Sequence, residues 1–250
     1  MKNNNYKALE AILANTGAKF VIPTWPKVVI PHSVFGDISF DVADVNPETN
    51  EITLLMSDCI VPGFEFDAAE IEGSDGGNHR WRTQFGNNNY GQSAIRQWLN
   101  ADTDFWWKPQ HKYDIAPSYA DKPGFLAGFS KEFVDRLVRT KRICATNVIF
   151  ETGEVDGVPI ETDSQYIVED RMFLPSITEL TGDANNGVME GKQFSEPINL
   201  VKSDWYWMRS CSPWSARDVR GVNDDGDPGY VASACDRLRG FAAACVIKGI

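Results

Sequence analysis

Apolar and polar positions alternate most cleanly in two runs, ISFDVADV at 38–45 and EITLLMSDCIV at 51–61. Successive side chains on a strand point to opposite faces, so this alternation reads as half-buried strand. Between the runs lie Asn46-Pro47-Glu48-Thr49-Asn50, all turn formers, and the three pieces together predict a hairpin. Upstream, Asn4–Asn15 sets Leu9, Ile12 and Leu13 at helical spacing and ends before Gly17, which predicts a short amphipathic helix with a glycine cap. The intervening FVIPTWPKVVIPHSVF (20–35) is β-branched but holds three prolines. Proline cannot donate to a ladder, so edge strands or a clasp are expected there.

Farther along, Asp67–Asn89 is polar, glycine-rich and aperiodic, and reads as an irregular loop. Ser93 precedes Ile95, Trp98 and Leu99, which share a helix face, so a capped helix is expected. A second helix opens at Ser130 and buries Phe133, Val134 and Leu137. Ile143–Phe150 reads as strand and Gly153–Val158 as turn. Ser176 with Glu179 three residues on is a capping box. In Trp205-Tyr206-Trp207 the indoles fall on one strand face and the tyrosine on the other; core packing is the reading preferred for the indoles over a sugar-stacking platform. Asp-Gly within Asn223–Asp227 predicts a tight turn between strands around Val219–Val222 and Tyr230–Ala232. No repeat or linker divides the chain. It reads as one α+β domain, 36–250, behind an N-terminal extension, 1–35, that is a candidate oligomerisation segment.

Composition narrows the function. A net charge of −11 disfavours a nucleic-acid groove and an anionic membrane surface, both of which need basic patches. No run is long enough to span a bilayer, and the first residues lack an apolar signal region, so neither membrane insertion nor a signal peptide is expected. Five cysteines, odd in number and without CxxC spacing, predict reduced thiols. The three histidines are scattered, and no zinc spacing, nucleophile elbow, phosphate loop or dinucleotide fingerprint occurs. An EF-type calcium register through Gly226 fails, because it puts Gly221 and Ala232 at liganding positions. The expectation is a protein with no catalytic set, no metal and no cofactor.

The most distinctive stretch is Cys211–Arg239. Lys, Glu, Gln and Met make 37 of the 250 residues, yet none occurs in these 29 positions, where about four are expected. Arginine is crowded there, with four of the chain's twelve. Lys, Glu, Gln and Met share codons ending in a purine, so their joint absence points to a coding constraint rather than a folding one. Asp, Arg, Ser, Asn, Gly, Tyr and Cys on a fixed frame make a selectable binding face.

Five segments carry a family resemblance: YGQSAIRQWLN (90–100), DRMFLPSITEL (170–180), WYWMRS (205–210), DDG (224–226) and GFAAACVI (240–247). Together they resemble the C-type-lectin-fold proteins diversified by retroelements, frequent in phages and gut-type bacteria, over roughly residues 36–250. Where relatives carry Gly-Val-Arg-Pro-Ala, this chain has Gly240-Phe241-Ala242-Ala243-Ala244. The resemblance implies a C-type-lectin-like fold with irregular loops, a non-enzymatic role, and a variable region near 205–247 rewritten at template adenines. Codons such as AAY cannot then become Lys, Glu, Gln or Met.

By the same resemblance, Trp205, Trp207, Arg209, Val219, Val222, Gly226, Gly240 and Phe241 hold the fold. Ligand would meet Cys211, Arg217, Asp218, Gly221, Asn223, Asp224, Asp227, Gly229, Tyr230, Cys235, Asp236 and Leu238, with Arg217 and Tyr230 the anchors. The implied partner is a protein or glycan on a target cell surface, met by a phage receptor-binding or display protein, in a virion or in the bacterial cytoplasm before assembly. A homo-oligomer is among the expected assemblies. Three alternatives stand beside this reading: an oxidase resembling formylglycine-generating enzymes, with Cys211 and Cys235 paired in a cleft; a calcium-dependent sugar lectin; and a structural virion subunit.

Overall fold

The structure, a computed structural model, describes residues 19–21, 27–61, 63–69, 86–110, 114–146, 154–155, 158–159, 165–212, 215 and 217–248. The helix expected over Asn4–Asn15 lies outside them. Strand accounts for 35% of the described residues against 12% helix, a strand-rich α+β arrangement.

The larger sheet is antiparallel, in the order β1-β2-β3-β4-β14-β9. Its strands are β1 (Lys19–Val21), β2 (Lys27–His32), β3 (Gly36–Asn46), β4 (Glu51–Met56), β14 (Ala244–Lys248) and β9 (Met172–Phe173). The hairpin read from the alternating runs is present: Asn46 pairs with Glu51, and Asn46 Oδ1 accepts the N–H of Glu48 at 3.0 Å. β2 also belongs to this sheet, pairing with β3 from Lys27 through His32 and burying Val28, Ile30 and His32. Residues 27–32 of the stretch read as an N-terminal extension are strand in this sheet. Among the described residues β1 flanks only Lys27–Val29, so Pro31 lies past that pairing, toward the end of β2, where a residue without an N–H is tolerated.

The smaller sheet runs β12-β11-β10-β13, made of β10 (Tyr206–Cys211), β11 (Asp218–Val222), β12 (Tyr230–Ser233) and β13 (Gly240–Phe241). β13 is parallel to β10 and the other pairs are antiparallel. Only Ala242 and Ala243, both wholly buried, separate β13 from β14. The chain thus crosses from one sheet to the other on side chains small enough to let the layers approach. Among the described residues two further pairs form, β5 (Thr140–Ala145) with β8 (Gln165–Asp170), and β6 (Glu154–Val155) with β7 (Val158–Pro159); residues 153, 156 and 157 of the turn read at 153–158 lie outside the described residues.

Phe241 joins the layers. Its ring meets Phe64, Trp98 and Phe125 at 5.1, 5.3 and 5.3 Å, all near-perpendicular. Edge-to-face contact suits aromatic quadrupoles, and each large apolar side chain buried here stabilises by about 1.5–3 kcal/mol. The α-helices among the described residues are short: α1 (Ala94–Leu99), α2 (Lys131–Val134) and α3 (Ile177–Thr181). Helices of this length do not persist alone. Their caps and their packing hold them: Ser93 accepts from the Arg96 N–H, Ser130 from Phe133, and Ser176 with Glu179 forms the full capping box. α2 ends before Leu137 because the chain there turns to pair with β14, Val138 N–H donating to the Val246 carbonyl at 2.8 Å.

Candidate binding surface

Three of the quoted motifs converge on one buried polar knot. Arg209 of β10, with its side chain fully buried, donates to Glu179 Oε2 at 2.5 Å and to the Leu174 carbonyl at 3.0 Å, and also bonds the Glu190 carbonyl. Arg142 reaches the other oxygen of Glu179 at 3.1 Å and lies 3.6 Å over the Phe173 ring. Ser210 bonds the Glu190 carboxylate and accepts the Ile177 N–H at 2.9 Å. Burial raises the Glu190 pKa, and Arg209 opposes the shift. Nearby, Arg96 of α1 pairs with buried Asp170 at 2.9 Å. This knot ties α1, α3 and β10 into one frame.

The frame grips the 211–239 segment by its backbone. Asn185 Nδ2 donates to the Cys211 carbonyl at 3.0 Å. Asn88 Nδ2 donates to the carbonyls of Ser215 and Asp218 at 2.6 and 3.0 Å. The N–H groups of Asp67 and Gly63 donate to Ala234 and Arg237, each at 3.0 Å. All four donor groups lie outside the segment, and all five acceptors are main-chain carbonyls whose position does not depend on side-chain identity. Asn87–Asn89 are buried although they lie in irregular backbone; residues 70–85 of the irregular loop expected over 67–89 lie outside the described residues. Asparagine is a loop former by propensity, but a buried carbonyl needs a donor. The end of the predicted loop therefore serves as an internal clamp.

Residues 50–249 match the family described as Domain of unknown function (DUF6273). The chain belongs to that family. No curated protein and no solved structure matches it. The match starts in the turn before β4, so β1–β3 enlarge the sheet beyond the DUF6273 region.

Within the DUF6273 region, ten of the twelve expected contact positions are at least partly exposed. Asp224, Asp227, Gly229, Tyr230 and Leu238 are open to solvent. Arg217, Asp218, Gly221, Cys235 and Asp236 are half-buried. The other two are corrected. Cys211 is 1% exposed, its thiol donating to the Ala145 carbonyl at 3.3 Å, because every residue of β10 is covered on both faces. Asn223 is buried too: its Oδ1 accepts the Asp227 N–H at 2.7 Å, so it builds the turn. Gly226 completes that turn at φ 84°.

Trp205 departs from the core role expected of both indoles. Trp207 is in the core, its Nε1–H donating to the Phe64 carbonyl at 2.8 Å. Trp205 precedes β10, escapes the strand alternation and lies half-buried at the surface. Its Nε1–H donates to Asp224 at 3.0 Å, Tyr230 meets it at 4.7 Å, and the Arg239 guanidinium lies 4.1 Å over its ring. Arg239 pairs with Asp236 at 3.1 Å. Trp205 and Arg239 thus gather Asp224, Tyr230 and Asp236 into one patch. Neither was an expected contact residue, although Arg239 closes the stretch lacking Lys, Glu, Gln and Met.

Chemically the patch offers recognition groups. Cys211 and β12 are about 10 Å apart, two strand spacings with β11 between, while Cys235 follows β12 beside Asp236 and Arg237. Burial pushes all five thiols up, Cys144 and Cys245 to about 12. A thiol held there is not a ready nucleophile at neutral pH. Among the described residues no group of three His, Cys, Asp or Glu side chains is arranged to hold a metal ion, and no helix is long and apolar enough to cross a membrane.

Proposed function

We propose that this protein binds a macromolecular ligand through the 211–239 surface, whose side chains are interchangeable and, by resemblance to C-type-lectin-fold proteins, are diversified by a retroelement. The observation that carries this reading is the set of five hydrogen bonds from outside the segment to its main-chain carbonyls. A loop held by its backbone can change its side chains without losing its course, which is what a selectable surface on a rigid scaffold requires. The missing Lys, Glu, Gln and Met supply independent support from the coding side. Strand order is compatible with a lectin-type frame, since the early strand β4 and the last strand β14 are neighbours while the small sheet presents the variable loops. Display in many copies on a phage or host surface would raise weak single-site binding.

The test is a displayed library with Arg217, Tyr230 and Asp236 randomised together, selected against bacterial surface proteins and glycans. The expected result is a well-populated library of folded variants whose ligand choice differs from the parent's. Folded variants that all keep the parent's choice would sink the reading.

A further inference from the structure

Among the described residues β12 is an outer strand of its sheet. Its ladder with β11 pairs Gly221 with Tyr230, Arg220 with Val231, Val219 with Ala232 and Asp218 with Ser233. One residue on, the Ala234 N–H donates to the Arg217 carbonyl at 2.8 Å. Hydrogen-bonded and non-bonded pairs alternate along an antiparallel ladder. Tyr230, Ala232 and Ala234 therefore bond toward β11, and Val231 and Ser233 turn their backbone groups outward. The Asp236 N–H takes the Ser233 carbonyl at 2.9 Å. Both backbone groups of Val231, and the N–H of Ser233, have no partner among the described residues, and Val231 is 47% exposed.

Beside this edge lies a shallow apolar depression open to solvent, lined chiefly by Trp205, Gly221, Tyr230, Val231, Ala232 and Arg239. The groups a sugar would use there are already engaged with one another. Arg239 covers one face of Trp205, Asp224 takes the indole N–H, and Asp236 holds the guanidinium. What remains is a shallow apolar surface, against which an apolar side chain can pack, next to the outward backbone groups of β12. The adjoining turn adds charge: Asp224, Asp225 and Asp227 are exposed, with no ion pair among the described residues, in a chain of net charge −11.

We propose that this edge takes an extended segment of a partner protein as a fifth strand, with one apolar side chain in the hollow and a Lys or Arg against the Asp224–Asp227 turn. The proposal rests on the binding-surface reading and narrows its ligand from protein or glycan to protein. Main-chain pairing supplies affinity whatever the neighbouring side chains are, and the hollow with its acidic rim supplies choice.

The probes are a displayed library of random linear peptides and a glycan array, each offered to the whole chain. Enriched peptides should combine an apolar residue with Lys or Arg at alternate positions and bind more weakly as salt rises. Val231→Pro removes the outward N–H without touching the β11 ladder, a change an edge strand accepts; Val231→Thr keeps that N–H and is the control, and melting temperatures confirm that both fold. The peptides should bind Val231→Pro at least about tenfold more weakly, an estimate for lost main-chain pairing, and Val231→Thr as they bind the parent. Ala232→Leu, which fills the hollow, should give a similar loss by a second route. Peptides that bind all three variants equally would overturn the proposal, as would glycans bound in place of peptides and released by Trp205→Ala. In either case, if binding still falls in Tyr230→Ala, the wider reading of the surface stands. Captured ligands indifferent to Tyr230→Ala and Asp236→Ala would remove both.

Discussion

The knot around Arg209 and the surface of 211–239 meet at β10, yet they are specified in opposite ways. In the knot, side chains hold side chains: Arg209, Glu179, Arg142 and Ser210 satisfy one another away from water. In the surface segment the frame holds main-chain carbonyls, and the side chains that face solvent contribute little to its course. A buried charge stripped of its partner is costly, whereas an exposed side chain can be exchanged nearly freely. One molecule thus contains a region where identity is fixed and, one strand away, a region where identity is open.

The sharpest way to break this contrast is Arg209→Met, which removes one of the two arginines from the buried Glu179 carboxylate and leaves the Leu174 and Glu190 carbonyls without their donor. It should cost about 3–5 kcal/mol in urea denaturation; a loss below about 1 kcal/mol would mean that the knot is not what fixes the frame. Gly240→Ala comes next. Its new Cβ would lie 2.2 Å from Val61 Cγ1 and 2.5 Å from the Ile60 carbonyl oxygen, an overpacking cost of about 1–3 kcal/mol. Asn88→Ala removes the donor shared by Ser215 and Asp218 and should cost about 1–2 kcal/mol. Amide exchange should quicken along 217–222 and stay unchanged in β4 and β14.

A pH dependence probes the frame from another side. His32 stacks against Phe125 at 5.0 Å and meets Phe129 edge-on. Burial lowers its pKa from 6.5, against a hydrogen bond to the Phe125 carbonyl. The unfolded chain then takes up a proton that the folded one resists. Stability from this group is full above pH 6.5 and falls as the pH drops below it. Glu190, whose pKa is raised, slopes the other way, so the informative quantity is the difference between parent and His32→Gln. The urea midpoint of the variant should fall less steeply from about pH 7 to about pH 5, the range where an ordinary histidine titrates. The smallest effects belong to the surface: Arg217→Ser and Leu238→Ser should each shift stability by no more than about 0.5 kcal/mol. A larger loss at either would erase the distinction between the two regions.

Local patterns in the sequence were legible where short-range chemistry decides. The 38–61 hairpin, the capping box at Ser176 and Glu179, the Ser93 cap and the Asn223–Asp227 turn each rest on residues a few positions apart. Where a residue's role depends on distant partners, local reading failed. Trp205 looks like a core indole beside Trp207, but it lies just outside β10 and meets Arg239, thirty-four positions on. Asn88 looks like loop filler, and its function is set by carbonyls 127 and 130 residues away. Cys211 ends a strand that both neighbouring layers cover, which no local pattern records.

Composition and periodicity by themselves determined a strand-rich α+β chain, its turns and caps, and the unusual vocabulary of 211–239, because these are read from side-chain spacing and residue counts. Only the tertiary structure decided which polar residues are clamps, which expected contacts turn inward, and that Trp205 and Arg239 organise the surface. Burial and hydrogen-bond partnership are properties of the packed layers, and they arise only when segments far apart in the chain come together.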